Sequence, residues 1–524
     1  MAFGELNVAM SGLFAAQYGL SVTNTNITNM NTPGYSRQVI NQEAWLPLIG
    51  SAGMVGSGVE TVSIDRVRDP FLDQKYWKYN DTLGEYEIKS QQTSIIEGIF
   101  GEPADDGFTK IYTDFFSGID DLSKNSSATE TATALRQYMI SFSDYYNEMA
   151  NGLTDLQSDV NLQIKTTVDN INMLANRIQN LNEQIYTYEL KGTVANELRD
   201  QRELCVDELS KFINVEAKEV EFIKPDGRVE KQFQVYTNGQ SLVDHLDIRN
   251  LEIEIRDTKN NERDIDGLYD IVWDDGAKFD TSSQYFSGEL KGLFDMRDGN
   301  GNGLNPDTQQ AEYGGIPYYL NRLDEFVQHF AKELNTIYNQ DANGNQLVDE
   351  NGNTMHALFS YRDETTGELI KSNDPLFDYT KLNASTISVS YEILEDADNI
   401  RTNYEHITAD GKESNPNPGN NDLLLDLLAQ RENQEFFNQG TPEDYMISIF
   451  SALGVNASEA QMFAKTQNNV ITEVQKQRMS VSGVDSNEEF MNLLKYNMAY
   501  QASAKVISTL DGIYDIMINR MGSW

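Results

Sequence analysis

The chain has one cysteine, Cys205, in 524 residues. An intrachain disulfide is therefore impossible, as is a multi-cysteine metal site. Histidine is almost as scarce: His245, His329, His356 and His406 fall in four separate segments, and none forms a His-Glu-x-x-His pair. Lysine and arginine number 40 against 82 aspartates and glutamates, a net charge of −42. Such a balance argues against nucleic acid and against docking on an anionic membrane, since both need clustered cations. No apolar run approaches the length that spans a bilayer. The opening MAFGELNVAMSGLFAAQYGL lacks the basic start and compact apolar core of a cleaved signal, so export is expected to take another route.

Chemical motifs are missing too. There is no Gly-rich phosphate loop and no Gly-x-Ser-x-Gly elbow after a convincing strand. Two segments imitate half a calcium loop. Asp298-x-Asn300-x-Asn302-Gly303 has Gln309 where a bidentate glutamate belongs, and Asp341-x-Asn343-x-Asn345 is followed by Gln346 instead of glycine. Both read as polar turns. Carboxylates are so common that no single pair marks a glycosidase dyad. Cys205, on an apolar helix face with Leu198, Leu209 and Phe212, reads as a small buried hydrophobe. No catalytic residue, cofactor or metal is assigned, and the chain is read as no enzyme; the alternative of another class is a secreted enzyme or adhesin with its site in 214–440.

What is present is enough apolar and aromatic residue, 39% and 10%, for several folded domains. The fold class is mainly α with β-rich insertions. An N-terminal helix over residues 3–27 carries Phe3, Leu6, Met10, Leu13, Gln17, Leu20, Asn24 and Ile27 at alternating steps of three and four, the spacing of a coiled-coil seam. Gly4, Gly12 and Gly19 weaken it, so it needs a partner helix. It runs into a stretch crowded with amides and hydroxyls, ending Asn26-Ile27-Thr28-Asn29-Met30-Asn31-Thr32-Pro33-Gly34-Tyr35-Ser36-Arg37-Gln38. Such residues favour caps and turns, Pro33 keeps Thr32 out of the helical region, and Gly34 supplies positive φ.

Further along, strands are expected over 35–43 and 59–67, with a flexible glycine loop over 50–58 between them. Helices follow: from Asp69-Pro70 to about Ile96, over 108–122, over 128–149, and along the heptad Ile164, Ile171, Leu174, Ile178, Leu181, Ile185, Tyr188. A shorter helix over 194–212 returns against it. Short strands are expected at 215–223, 233–236, 251–255 and 269–273, and a helix from Leu320 to Ile337. Residues 341–440 read as polar and acidic, with a strand pair near Leu369 and 387–393 and an exposed loop at 414–421. Thr441-Pro442-Glu443-Asp444 starts a helix that Gly454 stops, and Ser458 begins another. Ser486-Asn487-Glu488-Glu489 reads as the capping box of a last helix reaching Met521.

That last helix carries two apolar stripes. One is Phe490, Leu493, Tyr500, Ala504, Ile507, Tyr514, Ile518 and Met521; the other is Ala499, Ala502, Val506, Leu510, Ile513 and Met517. One stripe can meet the N-terminal helix, and the other calls for a second subunit. Both ends of the chain are nearly free of charge. The expected domains are a terminal coiled coil (1–58 with 484–524), a long-helix bundle (59–213 with 441–483 and 316–340), a β-rich insertion (214–315) and a polar acidic outer insertion (341–440).

Taken together, the two ends resemble the flagellar axial proteins of rod and hook, and most closely the hook-associated protein 1 family. The Asn-rich motif ending Thr32-Pro33-Gly34-Tyr35-Ser36-Arg37-Gln38 carries the resemblance at one end, with Thr28 where that family usually has alanine. The helix Asn492 to Thr509 carries it at the other. Val59 to Leu72, Leu198 to Leu209 (with Asp200-Gln201-Arg202) and Ser287 to Leu293 favour the hook-associated family over hook protein. The resemblance implies a structural subunit joining hook to filament, exported through the flagellar type III apparatus. It would form a ring with copies of itself, touch the hook protein and a second junction protein, and be covered at its C-terminal helix by a cytoplasmic chaperone. It points to Asn26, Asn29, Asn31, Thr32, Pro33, Gly34, Tyr35 and Arg37 as the assembly motif. The intersubunit set is Leu6, Met10, Leu13, Leu20, Leu493, Leu494, Tyr500, Ala504, Ile507, Ile513 and Met517.

Overall fold

The computed structural model describes residues 2–46, 48–50, 53–101, 107–190, 192–223, 229–301, 313–350, 352–405, 417 and 419–520. Asn302, Gly303, Gln309, His406, Met521 and residues 414–416 and 418 of the expected exposed loop lie outside them.

Helix α1 (Ala2–Asn29) leads through the motif into strand β1 (Gln38–Ala44). The expected flexible glycine loop is instead a small hairpin, β2 (Leu48–Gly50) with β3 (Gly53–Val55), because Ile49 and Met54 pair across it. Strand β4 (Val59–Arg66) returns antiparallel to β1. Asp69 then caps α2 (Pro70–Phe100), accepting from the Phe71 amide at 3.0 Å, with Pro70 in the first turn where its missing N–H is harmless.

After α3 (Phe108–Lys124) comes α4 (Thr129–Glu189), 61 residues long, which replaces two expected helices. Leu135, Met139, Phe142, Tyr146, Met149, Leu153, Val160, Ile164, Ile171, Leu174, Ile178 and Ile185 keep one face buried along its whole length. No proline interrupts it, so continuous burial carries the helix past Gly152 for about 90 Å. Helix α5 (Asn196–Phe212) folds back on it, with Cys205 buried; burial pushes its thiol up to about 11, an inert form.

The β-rich region follows: β5 (Glu216–Ile223), β6 (Val229–Thr237), β7 (Gln240–Asp244) and β8 (Asp247–Ile248) form an antiparallel sheet in that order. Strands β7 and β8 escaped the sequence reading; the Asn238-Gly239 turn, φ 49° and 72°, makes the β6–β7 hairpin. A separate pair, β9 (Leu251–Ile255) with β10 (Tyr269–Trp273), matches the expected strands. Helices α6 (Glu289–Asp298) and α7 (Ile316–Tyr338) pack beside α2 and α4.

In 341–440, β11 (Phe359–Tyr361) pairs with β12 (Ile387–Val389). Leu369 adds only a bridge to Arg362, and Tyr391–Glu395 is a short helix, α8, so the expected pairing was half right. Helix α9 (Asp422–Ala429), unread in the sequence, buries Leu423, Leu424 and Leu427. Phe115, Phe142, Phe330 and Phe359 interlock with Phe326, Phe436, Phe437 and Tyr445 in one aromatic core. Aromatic contacts of this kind add to area burial.

Helix α10 (Pro442–Ser482) starts at the expected box, Thr441 and Asp444 capping each other. It does not stop at Gly454. Ile449, Leu453, Ala460, Ile471 and Val474 bury one continuous face against the body, and that outweighs one unfavourable residue. α10 runs antiparallel to α2, with Phe450 beside Phe100, Phe463 stacked on Tyr86 and Arg478 bonded to Asp73. After Gly483 the last helix, α11 (Ser486–Asp515), continues into a π turn at Ile516–Arg520. Its cap is Asp485, which accepts from Asn487 and Glu488, not Ser486; Glu489 is used elsewhere.

Candidate functional site: the joint of the terminal coil

α1 and α11 run antiparallel, and the pairs Gly12–Ser503, Gly19–Tyr496 and Asn26–Glu489 advance by one heptad on both helices. The α1 side of this seam is small: Ala9, Gly12, Ala16, Gly19, Thr23 and Asn26. A Cβ on Gly19 would sit 2.5 Å from the Tyr496 ring, so the absent side chain is what admits the tyrosine. The apolar stripe read as the seam lies to one side of it. Met10, Gln17 and Asn24 are exposed, and Leu6, Leu13, Leu20 and Ile27 are half-buried. On α11, Leu493, Ala504 and Ile507 are half-buried, while Leu494, Tyr500, Ile513 and Met517 are exposed.

The motif closes this coil onto the body. Thr32 donates its amide to Asn29 at 2.9 Å and Tyr35 to Thr32 at 3.2 Å, so the chain turns at once after α1. Gly34 has φ 77° and lies against Leu204 of α5, two reasons for glycine. Asn26, at 1% exposure, uses every hydrogen-bonding position of its amide. It donates to the Gln38 carbonyl at 2.9 Å and to Glu489 at 3.2 Å. It accepts from the Tyr35 hydroxyl at 2.8 Å and the Gln38 amide at 2.9 Å. One buried side chain thus ties α1, β1 and α11 together.

Arg37 straddles the same point, its Nε 3.1 Å from Glu489 and its Nη2 2.7 Å from Glu488, while its amide donates to the Ser482 carbonyl. Burial, then the carboxylates of Asp200, Glu197 and Glu489, push the Tyr35 phenol up and keep it a donor. Of the other motif residues, Asn29 bonds Thr25 and Thr32 within the turn, whereas Asn31, Thr32 and Pro33 are exposed.

Below the motif lies an ion-pair layer that the sequence reading missed. The Ser36 amide donates to Asp200 at 2.9 Å, and Gln38 reaches Glu197 at 3.0 Å. Arg66 holds Asp200 at 2.7 Å and Glu203 at 3.0 Å; Arg68 holds Asp73 at 2.7 Å and Glu203 at 3.0 Å. Arg478 of α10 bridges Asp73 and Asp207 at 2.8 and 2.9 Å, and Trp77 donates to Asp207 at 2.6 Å. Burial pushes the Glu203 carboxyl up, but Arg68, Arg66 and Arg202 outweigh it and hold it at about 2. A cleft of about 670 Å3 opens at this joint, lined by Met30 to Ser36 on one side and by Tyr76, Leu204, Phe212, Arg478 and Met479 on the other. Within it Arg478 is paired with Asp207, an arrangement that fixes the geometry of the joint.

The other sequence candidates are local. Asp341 accepts from the amides of Asn343 and Asn345 as a turn residue, and Asp298 is occupied by Arg256 and Arg297. Among the described residues no cluster of histidine, cysteine and carboxylates could hold a metal ion. No described helix is long and apolar enough to cross a membrane.

The family profile described as "Flagellar hook-associated protein FlgK helical domain" matches residues 93–371. The chain belongs to the flagellar hook-associated protein FlgK family. The profile "Flagella basal body rod protein" matches 6–35 and "Flagellar basal body rod FlgEFG protein C-terminal" matches 475–521, so the two helices of the coil are the part resembling rod proteins. Flagellar hook-associated protein 1 of Bacillus subtilis is 28% identical over 99% of this chain and 98% of its own length. That of Escherichia coli is 24% identical over 98% and 99%. The solved hook junction protein FlgK of Burkholderia pseudomallei shares the fold, with TM-score 0.54 over 78% of this chain and all of that one, at 14% identity. As a member of this family the chain is a structural component of the flagellum, associated with the hook.

Proposed function

We propose that the chain, a structural component of the hook–filament junction as its family is, assembles into a ring through its terminal coil. The observation that carries this reading is the surface of that coil. Its inner seam is closed by small residues, yet Met10, Phe14, Tyr18, Met491, Leu494, Met498, Ile513 and Met517 stay exposed on its outside. Exposed apolar area of this extent marks an interaction surface. It is also the part of the chain with least charge: Glu5 is the only charged residue of α1. Elsewhere the net charge of −42 keeps copies apart.

In this reading the exposed set is the subunit contact, and Asn26, Tyr35, Gly34 and Arg37 set the angle at which the coil leaves the body. The terminal coil, helical bundle, β-rich insertion and acidic outer insertion act as the working units. Hook protein lies on one side of the ring and a second junction protein on the other. A chaperone covering α11 before type III export protects the same surface. Replacing Met498 and Ile513 by aspartate tests this. Both are exposed in the single chain, so its thermal unfolding should not move, while incorporation into flagella should be lost. Normal incorporation of that variant would sink the reading.

A further inference from the structure

The helical body also carries a long helix face with little charge. On α10 the exposed positions from Ile447 to Thr466 include Ser451, Gly454, Val455, Ser458, Gln461 and Met462, with Glu459 and Lys465 as the charged members. Ile447, Val455 and Met462 are 47%, 63% and 57% exposed. They span about 22 Å of helix. An open groove of about 620 Å3 is lined by Ser451, Gly454, Val455, Ser458, Glu459, Met462 and Phe463.

Glycine weakens a helix interior, and most helical glycines here have a visible reason. Gly84 is pressed by the Lys211 carbonyl, Gly118 by Tyr138 and Gly152 by Ile99. Gly454 meets nothing within 4 Å, and neither do Gly4, Gly98 and Gly512. Gly4 and Gly512 lie on the terminal coil. Gly98 and Gly454 lie at one level of the antiparallel α2–α10 pair, near the Phe100–Phe450 contact. Among the described residues nothing uses these missing side chains.

Charge and continuity together decide what covers this face. Copies carrying −42 each approach only where charge is low, and a basic partner would find little here to pair with. α10 leads through the short non-helical step Gly483 to Asp485 into α11, so in the chain the face directly precedes the helix that carries the exposed Met491, Leu494 and Met498. We propose that the α10 face from Ile447 to Met462 is a second contact between copies of this chain, made body to body in the ring. The contact is heterologous, each copy offering α10 to a different surface of its neighbour. The inference rests on the assembly reading above and deepens it.

A photo-crosslinking residue, p-benzoylphenylalanine, placed at position 455 of the full chain reports any neighbour without presuming its surface. Position 498 on α11 and position 162 on the exposed side of α4 serve as comparisons. Irradiated flagella should yield chain–chain adducts from 455 and 498 and none from 162, and the free exported chain should yield none. Adducts from 498 without 455, or adducts from 455 only to a different protein, would overturn this inference and leave the coil reading standing. No chain–chain adduct from either position would overturn both. A second variant, Val455→Glu with Met462→Glu, should keep the thermal midpoint of the free chain and lower incorporation at least tenfold. Unchanged incorporation would count against the contact.

Discussion

Asn26→Ala is the sharpest perturbation of the joint. The alanine removes both partners of the Gln38 backbone, its amide at 2.9 Å and its carbonyl at 2.9 Å, together with the Tyr35 and Glu489 bonds. Gln38 is itself buried. Leaving a buried donor or acceptor unpaired costs about 1–3 kcal/mol each, and two backbone groups are stranded. Water entering the small space recovers part of this, so the net loss is about 2–5 kcal/mol. The loss is local to the joint, and a chain of several domains need not unfold in one step. Amide hydrogen exchange is therefore the assay. At about 1.4 kcal/mol per tenfold, the amides of residues 36–40 and 486–492 should exchange at least roughly 30-fold faster. The aromatic core around Phe142 and Phe330 should not change. Exchange within about threefold of the unsubstituted chain would refute the claim that Asn26 closes the joint.

The glycines of α1 should rank by what faces them. Gly19→Ala should cost about 1–3 kcal/mol through the clash with Tyr496, Gly12→Ala, 3.1 Å from Ser503, should be mild, and Gly4→Ala should raise helix content by circular dichroism. Arg478→Ala leaves Asp73 to Arg68 and Asp207 to the Trp77 donor, and the loss of the charged bonds should destabilise the body by about 1.5–3 kcal/mol in thermal unfolding. Burial raises Asp81 from 3.8 to about 6, so its favourable contribution is present below pH 3.8 and lost as pH rises through 6. Asp81→Asn should therefore raise the melting temperature at pH 7.5 and have little effect near pH 4. Glu203, held at about 2, works in the opposite sense: its stabilisation is present above its ordinary 4.5 and fades as pH falls from there through 2. A chain carrying Glu203→Gln should lose that stabilisation at pH 5 and, with it, this part of the acid sensitivity, its stability changing less between pH 5 and pH 2.

Local signals were the legible ones. Asp69-Pro70 and Thr441-Pro442-Glu443-Asp444 cap helices with their own neighbours, and the alternation at 251–255 and 269–273 makes strands wherever it occurs. Continuity was not legible. Gly454 has the propensity of a stop, but burial on the far side of α10 decides the matter. The seam of α1 was misplaced because a search for large apolar residues overlooks glycine and alanine. Such small residues let the helices approach closely, and the bulky side chains are left on the outside of the coil. Glu489 shows the same limit: in sequence it is a capping residue, and in space it is the partner of Asn26 and Arg37 from the other end of the chain. Arg66, Arg68, Asp200 and Glu203 could not stand out in a chain of 82 acidic residues, although Asp200 and Glu203 lie in the stretch Leu198 to Leu209 that resembles the family.

On the proposed reading the terminal coil, hinged at Asn26 and Glu489, builds the chain into the flagellum. Electron microscopy of cells whose only copy lacks residues 490–524 tests it most directly. Bare hooks with filament protein shed into the medium are expected, while the truncated chain keeps its body folded. Full-length filaments on those cells would contradict it.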